Sequence, residues 1–227
     1  MKVIAIIPAF NEESSIGLVL RAIPKNLVEK VIVADNGSQD RTAEIAKQAG
    51  AEVVSEPRKG YGRACLAGIE FAKRWNPEAI VFLDADFSDH PEEIPLLLQK
   101  LTEGFDLVIG SRTLGNAEPG ALLPQARWGN RLAVYLIKRL FDHRYSDLGP
   151  FRAIKWDALI ALNMQDHTFG WTVEMQVKAV RAGLRITEVP VSYRKRVGVS
   201  KVTGTISGTI KAGYKILFTI FKYHLSR

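Results

Sequence analysis

Residues 79–86 read AIVFLDAD, an apolar run that ends in two aspartates separated by one residue. Apolar, β-branched runs of the same kind recur through the first half of the chain, at residues 3–9, 31–35, 51–56 and 106–111. Between them, apolar residues recur at helical spacing, at residues 14–23, 40–50 and 62–75. This alternation predicts an α/β fold with a mostly parallel central sheet flanked by helices. Further along the chain we expect helices near residues 128–141 and 171–182 and a short strand at residues 185–196.

Polar residues follow several of these runs directly. The sequence PAFNE ends the first run at residues 8–12, and DNGSQD begins at the end of the second, at residues 35–40. In open α/β sheets, ligands bind beyond the carboxyl ends of the strands. We therefore expect these turns and the aspartate pair to lie around one crevice.

The aspartate pair, Asp84 and Asp86, suggests a metal site. Two carboxylates at the mouth of a buried strand lose hydration unless a cation or hydrogen-bond donors compensate them. Mg²⁺ or Mn²⁺ bridging a diphosphate would do so and would neutralise charge on a leaving nucleotide. Because the D-x-D pattern also arises by chance, a solvated turn after the strand is the alternative.

Length and composition suit one elaborated domain, with 227 residues of which 47% are hydrophobic. The single cysteine, Cys65, excludes an internal disulfide and a cysteine-rich metal site. The first residues, MKVIAIIPAF, lack the basic start, long apolar stretch and cleavage site of a signal peptide. We therefore expect a cytoplasmic protein.

Charge is distributed unevenly along the chain, which has a formal net charge of +7. Residues 1–120 carry a net charge of −5, and residues 121–227 carry +12. A basic half suits nucleic acid, anionic lipid or a phosphate-bearing substrate. Because no zinc-finger spacing, RNA-binding aromatic motif or basic zipper accompanies it, we expect no nucleic-acid partner.

Five motifs occur in a characteristic order along the chain. They are P-A-F-N-E from Pro8, D-N-G-S-x-D-x-T from Asp35, K-G-Y-G-x-A from Lys59, D-A-D from Asp84 and G-V-S-K from Gly198. Together they resemble family 2 glycosyltransferases of the GT-A fold, most closely the polyprenyl-phosphate (dolichyl-phosphate) mannose or glucose synthases. The resemblance implies a Rossmann-like nucleotide-diphospho-sugar transferase fold.

The resemblance also implies a nucleotide-sugar pocket. The residues implied to line the base and ribose are Pro8, Ala9, Asn11 and Glu12. Asp35 would contact the base, and Gly60 would let the backbone approach the nucleotide. Local structure alone also accounts for these residue types, through a turn proline, a helix N-cap at Asn11 and a capping turn at Asp35.

Cationic residues of the second half would handle phosphate charge. The resemblance directs Arg112 towards the phosphates or the acceptor. The loop that contains Arg196 and Lys201 would close over the diphosphate and stabilise its developing charge. An exposed basic loop that is attracted to anionic lipid is the alternative.

Asp147 lies in D-L-G-P-F-R, which matches the acceptor loop of the family. It would act as general base for a hydroxyl acceptor, or orient the sugar if the acceptor is already an anion. A phosphate monoester is largely deprotonated at neutral pH and needs little help as a nucleophile. Glu174, on a helix-like run, is either partly buried near the site or an ordinary exposed helix residue.

The chain divides into a GT-A domain at residues 1–204 and an amphipathic C-terminal segment at residues 205–227. Lysines interrupt the segment too often for a membrane-spanning helix. We expect a surface anchor at the membrane interface rather than a core element, with Lys211, Lys215 and Lys222 attracted to anionic lipid. Packing on the body, or on a second copy in a homo-oligomer, is the alternative.

The expected reaction is an inverting, metal-dependent transfer of a hexose from a UDP-glucose- or GDP-mannose-type donor to a polyprenyl-phosphate-type lipid. The enzyme would work peripherally on the cytoplasmic face of the membrane. A hydroxyl acceptor with Asp147 as base is the alternative within the family. A sugar nucleotidyltransferase would need a glycine-rich N-terminal loop where this chain has PAFNE, and a catalytically silent membrane-binding module would not need the whole motif series.

Overall fold

The computed structural model describes residues 1–198 and 206–226, without the side chains of residues 206, 207 and 209. In this part of the chain a seven-stranded sheet has the order β3-β2-β1-β4-β6-β5-β7. The strands are β1 (Val3–Ala9), β2 (Lys30–Asp35), β3 (Glu52–Ser55), β4 (Ala79–Phe82), β5 (Leu107–Ser111), β6 (Arg152–Lys155) and β7 (Ile186–Pro190). Only β6 runs antiparallel to its neighbours among these strands. The predicted fold class is confirmed.

Helices flank the sheet on both faces. Within the described residues they are α1 (Ile16–Ala22), α2 (Thr42–Gln48), α3 (Tyr61–Ala72), α4 (Ile94–Thr102), α5 (Pro124–Phe141), α6 (Trp156–Leu162), α7 (Trp171–Arg181) and α8 (Ile206–Leu225). The alternation in β1 shows the two layers, because Ala5 and Ile7 pack with α1, α2 and α4. Ile4 and Ile6 belong to a second cluster with α3 and α5 to α8.

Three elements were not predicted from the sequence: helices α4 and α6 and strand β6. Strand β6 has four residues, of which Arg152 and Lys155 are basic, so its sequence carries no strand-like alternation. It is nevertheless buried between β4 and β5. Strand β4 also ends earlier than the apolar run suggested, at Phe82, so Asp84 and Asp86 lie in the loop beyond the strand.

Helix α8 packs on the body of the protein with one face. Ile220 is fully buried in the cluster that contains α3, α5, α6 and α7, and Thr219 is also buried. The expectation that the C-terminal segment is not a core element is wrong for this face. The helix also exposes large apolar side chains, namely Ile210, Tyr214, Phe218, Phe221 and Leu225. No helix in the described residues has the combined length and apolar character needed to cross a bilayer.

Candidate active site

A cleft of about 450 Å³ opens where the carboxyl ends of β1 and β2 face the loop after β4. Of the residues predicted to form the site, those that line it are Pro8, Glu12, Gly60, Asp84, Asp86 and Arg196. Lining residues that were not predicted include Phe10, Asn36, Lys59, Tyr61 and Phe169. The structure thus brings the first four motifs to one crevice, as the strand-end rule requires.

Asn11 and Asp35 lie behind the lining and join the first two turns. The Asn11 backbone N donates to Ser38 Oγ at 2.9 Å, and Asn11 Oδ1 accepts from the backbone N of Gln39 at 2.8 Å. The Asp35 carboxylate accepts from the backbone N of Ser38 at 3.3 and 3.4 Å. Asn11 is not the N-cap of α1, because that helix begins at Ile16. Both side chains therefore hold the shape of the turns.

The glycine loop after β3 is fixed by buried Asn36. Asn36 Nδ2 donates to the carbonyls of Glu56 and Arg58 at 2.9 and 2.8 Å, and its Oδ1 accepts from the Gly60 backbone N at 2.7 Å. Gly60 has φ +146°, and a Cβ atom there would lie 2.1 Å from the His167 carbonyl oxygen. Only glycine fits this position, so the backbone itself forms this wall of the cleft.

Three aspartates cluster at the cleft: Asp84 and Asp86 line it, and Asp89 is buried beside them. Asp84 Oδ1 accepts from Tyr61 Oη at 3.1 Å, the Asp84 backbone N donates to Asp89 Oδ2 at 3.1 Å, and Asp86 Oδ1 accepts from the Ser88 backbone N at 2.9 Å. Burial and then the charge of Asp86 raise the pKa of Asp84 to about 7. Burial and the same two carboxylates raise the pKa of Asp89. Full ionisation of the cluster is therefore unfavourable without a further cation or hydrogen-bond donor.

Arg196 lies against this cluster. Its Nη1 is 3.2 Å from Asp86 Oδ2, and its Nη2 is 3.0 Å from Glu12 Oε1. The backbone N of Val197 also donates to the Asp86 carbonyl at 2.9 Å, which anchors this segment beside the cleft. The guanidinium thus joins the first motif to the D-A-D motif. Lys201, the other cation predicted for this loop, lies outside the described residues.

The donor set of this cluster fits a divalent cation that arrives together with a diphosphate. Carboxylate oxygens suit Mg²⁺ and Mn²⁺. Within residues 1–198 and 206–226, no group of three or more His, Cys, Asp or Glu side chains is arranged to hold a metal ion. Asp89 Oδ1 is buried with no hydrogen-bond partner among the described residues. Mg²⁺ commonly binds through one or two carboxylates and completes its shell with phosphate and water.

A second cavity, of about 480 Å³, is lined by Arg112, Arg127, Asn130, Arg131 and Asp147, among others. Asp147 is fully buried, with Oδ2 2.7 Å from Arg112 Nε and Oδ1 2.8 Å from Arg112 Nη2. Burial alone would lower the pKa of Arg112, but the charge of Asp147 and its hydrogen bonds raise it. A role for Asp147 as general base would require this ion pair to open.

The loop that carries Asp147 is held by hydrogen bonds to Glu188 and Gln176. Glu188 on β7 accepts from the Ser146 backbone N at 2.8 Å, from Ser146 Oγ at 2.9 Å and from the Asp147 backbone N at 3.2 Å. Gln176 Nε2 donates to the Asp147 carbonyl at 3.0 Å. These contacts fix Asp147 and, through it, the guanidinium of Arg112.

Comparison with known proteins identifies the family. The sequence model described as "Glycosyl transferase family 2" matches residues 4–162. The chain belongs to this glycosyltransferase family. Membership confirms the resemblance seen in the motifs and does not support the sugar-nucleotidyltransferase alternative.

Two relatives illustrate the range of this family. This chain is 37% identical over 212 residues to an uncharacterized glycosyltransferase of Mycobacterium tuberculosis, and the alignment covers 92% of this chain and 94% of the relative. It is 32% identical over 227 residues to undecaprenyl-phosphate mannosyltransferase of Micrococcus luteus, with 92% of this chain and 90% of the relative covered.

Among solved structures, glucosyl-3-phosphoglycerate synthase of Mycobacterium tuberculosis is similar in fold. Its complex with Mn²⁺, uridine diphosphate and glucosyl-3-phosphoglycerate superposes with a TM-score of 0.76 at 23% identity, covering 98% of this chain and 79% of that chain. This likeness shows that the present chain has the GT-A fold.

Sequence reasoning missed Asn36, Tyr61 and Phe169 for different reasons. Asn36 and Tyr61 stand inside two of the motifs, so the motifs themselves carried the signal. Phe169 stands in no motif, in the segment before α7. It reaches the cleft only because that segment packs on the glycine loop, and nothing in the local sequence indicates this.

Proposed function

We propose that this protein is a metal-dependent, inverting glycosyltransferase that moves a hexose from a nucleotide-diphosphate sugar to a polyprenyl-phosphate-type lipid. The observation that carries the proposal is the pairing of an acidic cleft with an arginine-lined cavity beside it. Arg112 lines the cavity, and its positive charge opposes the burial effect that raises the pKa of Asp84, which lines the cleft, and of Asp89, which is buried next to Asp84. A nucleotide-sugar in the cleft and an anionic acceptor in the cavity would meet at this boundary.

The nucleotide-sugar would lie along the turns after β1 and β2 and the backbone at Gly60. Mg²⁺ or Mn²⁺, held by Asp84 and Asp86, would neutralise charge on the leaving diphosphate. Arg112 and Arg196, and Lys201 on its sequence pattern, would stabilise phosphate charge. The acceptor oxygen would attack the anomeric carbon in line as the bond to the diphosphate breaks. The nucleoside diphosphate then leaves with that electron pair, and the anomeric carbon is inverted.

A phosphate acceptor agrees with the state of Asp147. Both carboxylate oxygens of Asp147 are hydrogen-bonded to Arg112, so neither is poised to remove a proton. A phosphate monoester needs no base at neutral pH, because its second proton leaves near pH 6. In this proposal Asp147 orients Arg112, and the alternative with a hydroxyl acceptor and Asp147 as base is less favoured.

Exposed apolar residues beside the cavity support a lipid acceptor. Helix α5 contributes Arg127 and Arg131 to the cavity and exposes Trp128, Leu132 and Tyr135 to solvent. Apolar side chains among cationic ones are typical of surfaces that lie in the headgroup region of a membrane. Since α8 packs against α5 and exposes further apolar residues, we propose peripheral binding at the cytoplasmic face of the membrane.

A comparison of two acceptors tests this proposal. The purified chain would receive radiolabelled UDP-glucose or GDP-mannose and Mn²⁺, with undecaprenyl phosphate in mixed micelles or 3-phosphoglycerate in solution. We expect label to move into the lipid fraction with one donor, and to depend on the metal. Transfer to 3-phosphoglycerate alone would contradict the lipid acceptor. Transfer to neither, together with a failure to bind any nucleoside diphosphate, would contradict the donor site.

A further inference from the structure

We propose that Tyr223 and Lys215, on the C-terminal helix α8, are positioning residues for the nucleotide-sugar cleft and act through residues 165–170. The inference rests on the donor site proposed above. No described residue of α8 lines the cleft. Any influence of this helix on the donor must therefore pass through the residues between them.

The first link is the carboxylate of Glu174 on α7. It is fully buried and accepts from the backbone N of Gln165 at 3.1 Å, from the backbone N of Asp166 at 2.7 Å and from Tyr223 Oη at 2.6 Å. Lys178 Nζ lies 2.9 Å from the same carboxylate. A buried carboxylate requires its donors, so loss of the Tyr223 hydroxyl would disturb the group that holds residues 165 and 166.

The second link is direct contact between α8 and the same segment. Lys215 Nζ lies 2.9 Å from Asp166 Oδ2, while Asp166 Oδ1 accepts from the Thr168 backbone N at 2.7 Å. A Cβ atom at Gly170 would lie 2.5 Å from Thr219 Oγ1, so the helix lies flush against the end of the segment. Residues 166–170 are therefore held against α8 at both ends.

The third link joins this segment to the glycine loop. A Cβ atom at Gly62 would lie 2.0 Å from the Asp166 carbonyl oxygen, and the backbone N of Arg63 donates to the His167 carbonyl at 3.1 Å. Tyr61, between the loop glycines, donates its hydroxyl to Asp84. Phe169 itself lines the cleft. Movement of residues 165–170 would thus change the wall of the cleft and the contact with the acidic cluster.

Two matched pairs of variants test the inference in the full chain. Tyr223→Phe removes only the hydroxyl that reaches Glu174, and Tyr214→Phe removes a hydroxyl from an exposed tyrosine on the same helix. Lys215→Met and Lys211→Met form the second pair, since Lys211 is exposed. Calorimetry would measure the affinity for UDP and for GDP with Mn²⁺, and amide hydrogen exchange would be followed without ligand.

We expect Tyr223→Phe and Lys215→Met to weaken binding of the nucleoside diphosphate by about five- to tenfold, the size expected for loss of one ordinary hydrogen bond. Amide exchange should become faster at residues 60–64 and 165–170. The two control variants should match the wild type. In a Phe169→Ala background the effect of Tyr223→Phe should shrink, because residues that act through one contact are not additive.

A purely structural role predicts a different result. Tyr223→Phe would then lower the melting temperature while nucleotide affinity and exchange at residues 60–64 stay as in the wild type, and that result would overturn the inference. Unchanged exchange at residues 60–64 overturns it whether or not nucleotide binds. If the wild type binds neither UDP nor GDP, the proposed donor site is wrong. The exchange data would still show whether α8 positions the glycine loop and residues 165–170.

Discussion

The acidic cleft and the arginine-lined cavity are built in different ways. In the cleft, Pro8 and Asp35 are themselves strand residues, and Asp84 follows β4 by two residues. In the cavity, Arg112 follows β5, but its partner Asp147 lies 35 residues away, and Glu188, which supports Asp147, is 41 residues further along the chain. The cleft is thus formed largely by strand ends, and the cavity by contacts between distant segments.

This difference predicts how each site responds to substitutions. Side chains at strand ends keep their places as long as the sheet is intact, because the strand register positions them. Side chains held by distant partners lose their places when one partner is removed. Substitutions in the cleft should therefore affect chemistry more than folding, and substitutions in the cavity should affect both.

The largest effect on catalysis is expected for Asp86→Asn. The change removes a proposed metal-ligand charge at nearly constant volume, so Mn²⁺-dependent binding of nucleoside diphosphate should be lost and transfer should fall by at least ~100-fold. Circular dichroism and the melting temperature should show an intact fold. Asp157→Asn, at an exposed position on α6, is the matched control. If Asp86→Asn retains Mn²⁺-dependent transfer, Asp86 is not a metal ligand.

The largest effect on stability is expected for Arg112→Ala. It leaves the fully buried carboxylate of Asp147 without its cation, which should lower the free energy of unfolding by about 3–5 kcal/mol in urea titration. Arg127→Ala, an exposed arginine that lines the same cavity, should weaken acceptor binding and leave unfolding unchanged. Equal stability losses in the two variants would remove the distinction between the buried pair and the cavity lining.

A smaller effect is expected for Trp128→Ser. Trp128 is 70% exposed on α5, and removal of its apolar surface should weaken binding to anionic vesicles by roughly tenfold in a sedimentation assay. Leu27→Ser, an exposed apolar residue in the N-terminal half, should have no effect on sedimentation. Binding should also weaken as salt increases. Vesicle binding that is the same in both variants would refute membrane contact through α5.

The smallest expected effect is a gain. Arg196→Ala removes a cation that neutralises Asp86, so the affinity for Mn²⁺ alone should rise by about threefold, in keeping with a partly exposed ion pair. Electron paramagnetic resonance of free Mn²⁺ would measure it, with exposed Lys195→Ala as control. Transfer should fall in the same variant because phosphate charge loses a partner. Weaker Mn²⁺ binding would mean that Arg196 does not compete with the cation for Asp86.

The sequence predicted the cleft better than the cavity. The five apolar runs before residue 112 all correspond to strands, and Asp84, Asp86, Glu12 and Gly60 do line one cleft. Strand β6 escaped prediction because burial between β4 and β5, rather than its own sequence RAIK, makes it a strand. Glu174 had two interpretations, and only the tertiary structure shows that it is fully buried.

The sequence by itself determined the α/β alternation, the family and the location of several residues that line the cleft, since apolar periodicity and strand ends are local properties. Only the tertiary structure decided the partners of the charged groups. Arg196 meets Glu12 across 184 residues, and Tyr223 meets Glu174 across 49. A local pattern states that a residue is charged, whereas its partner depends on which helices and loops pack together.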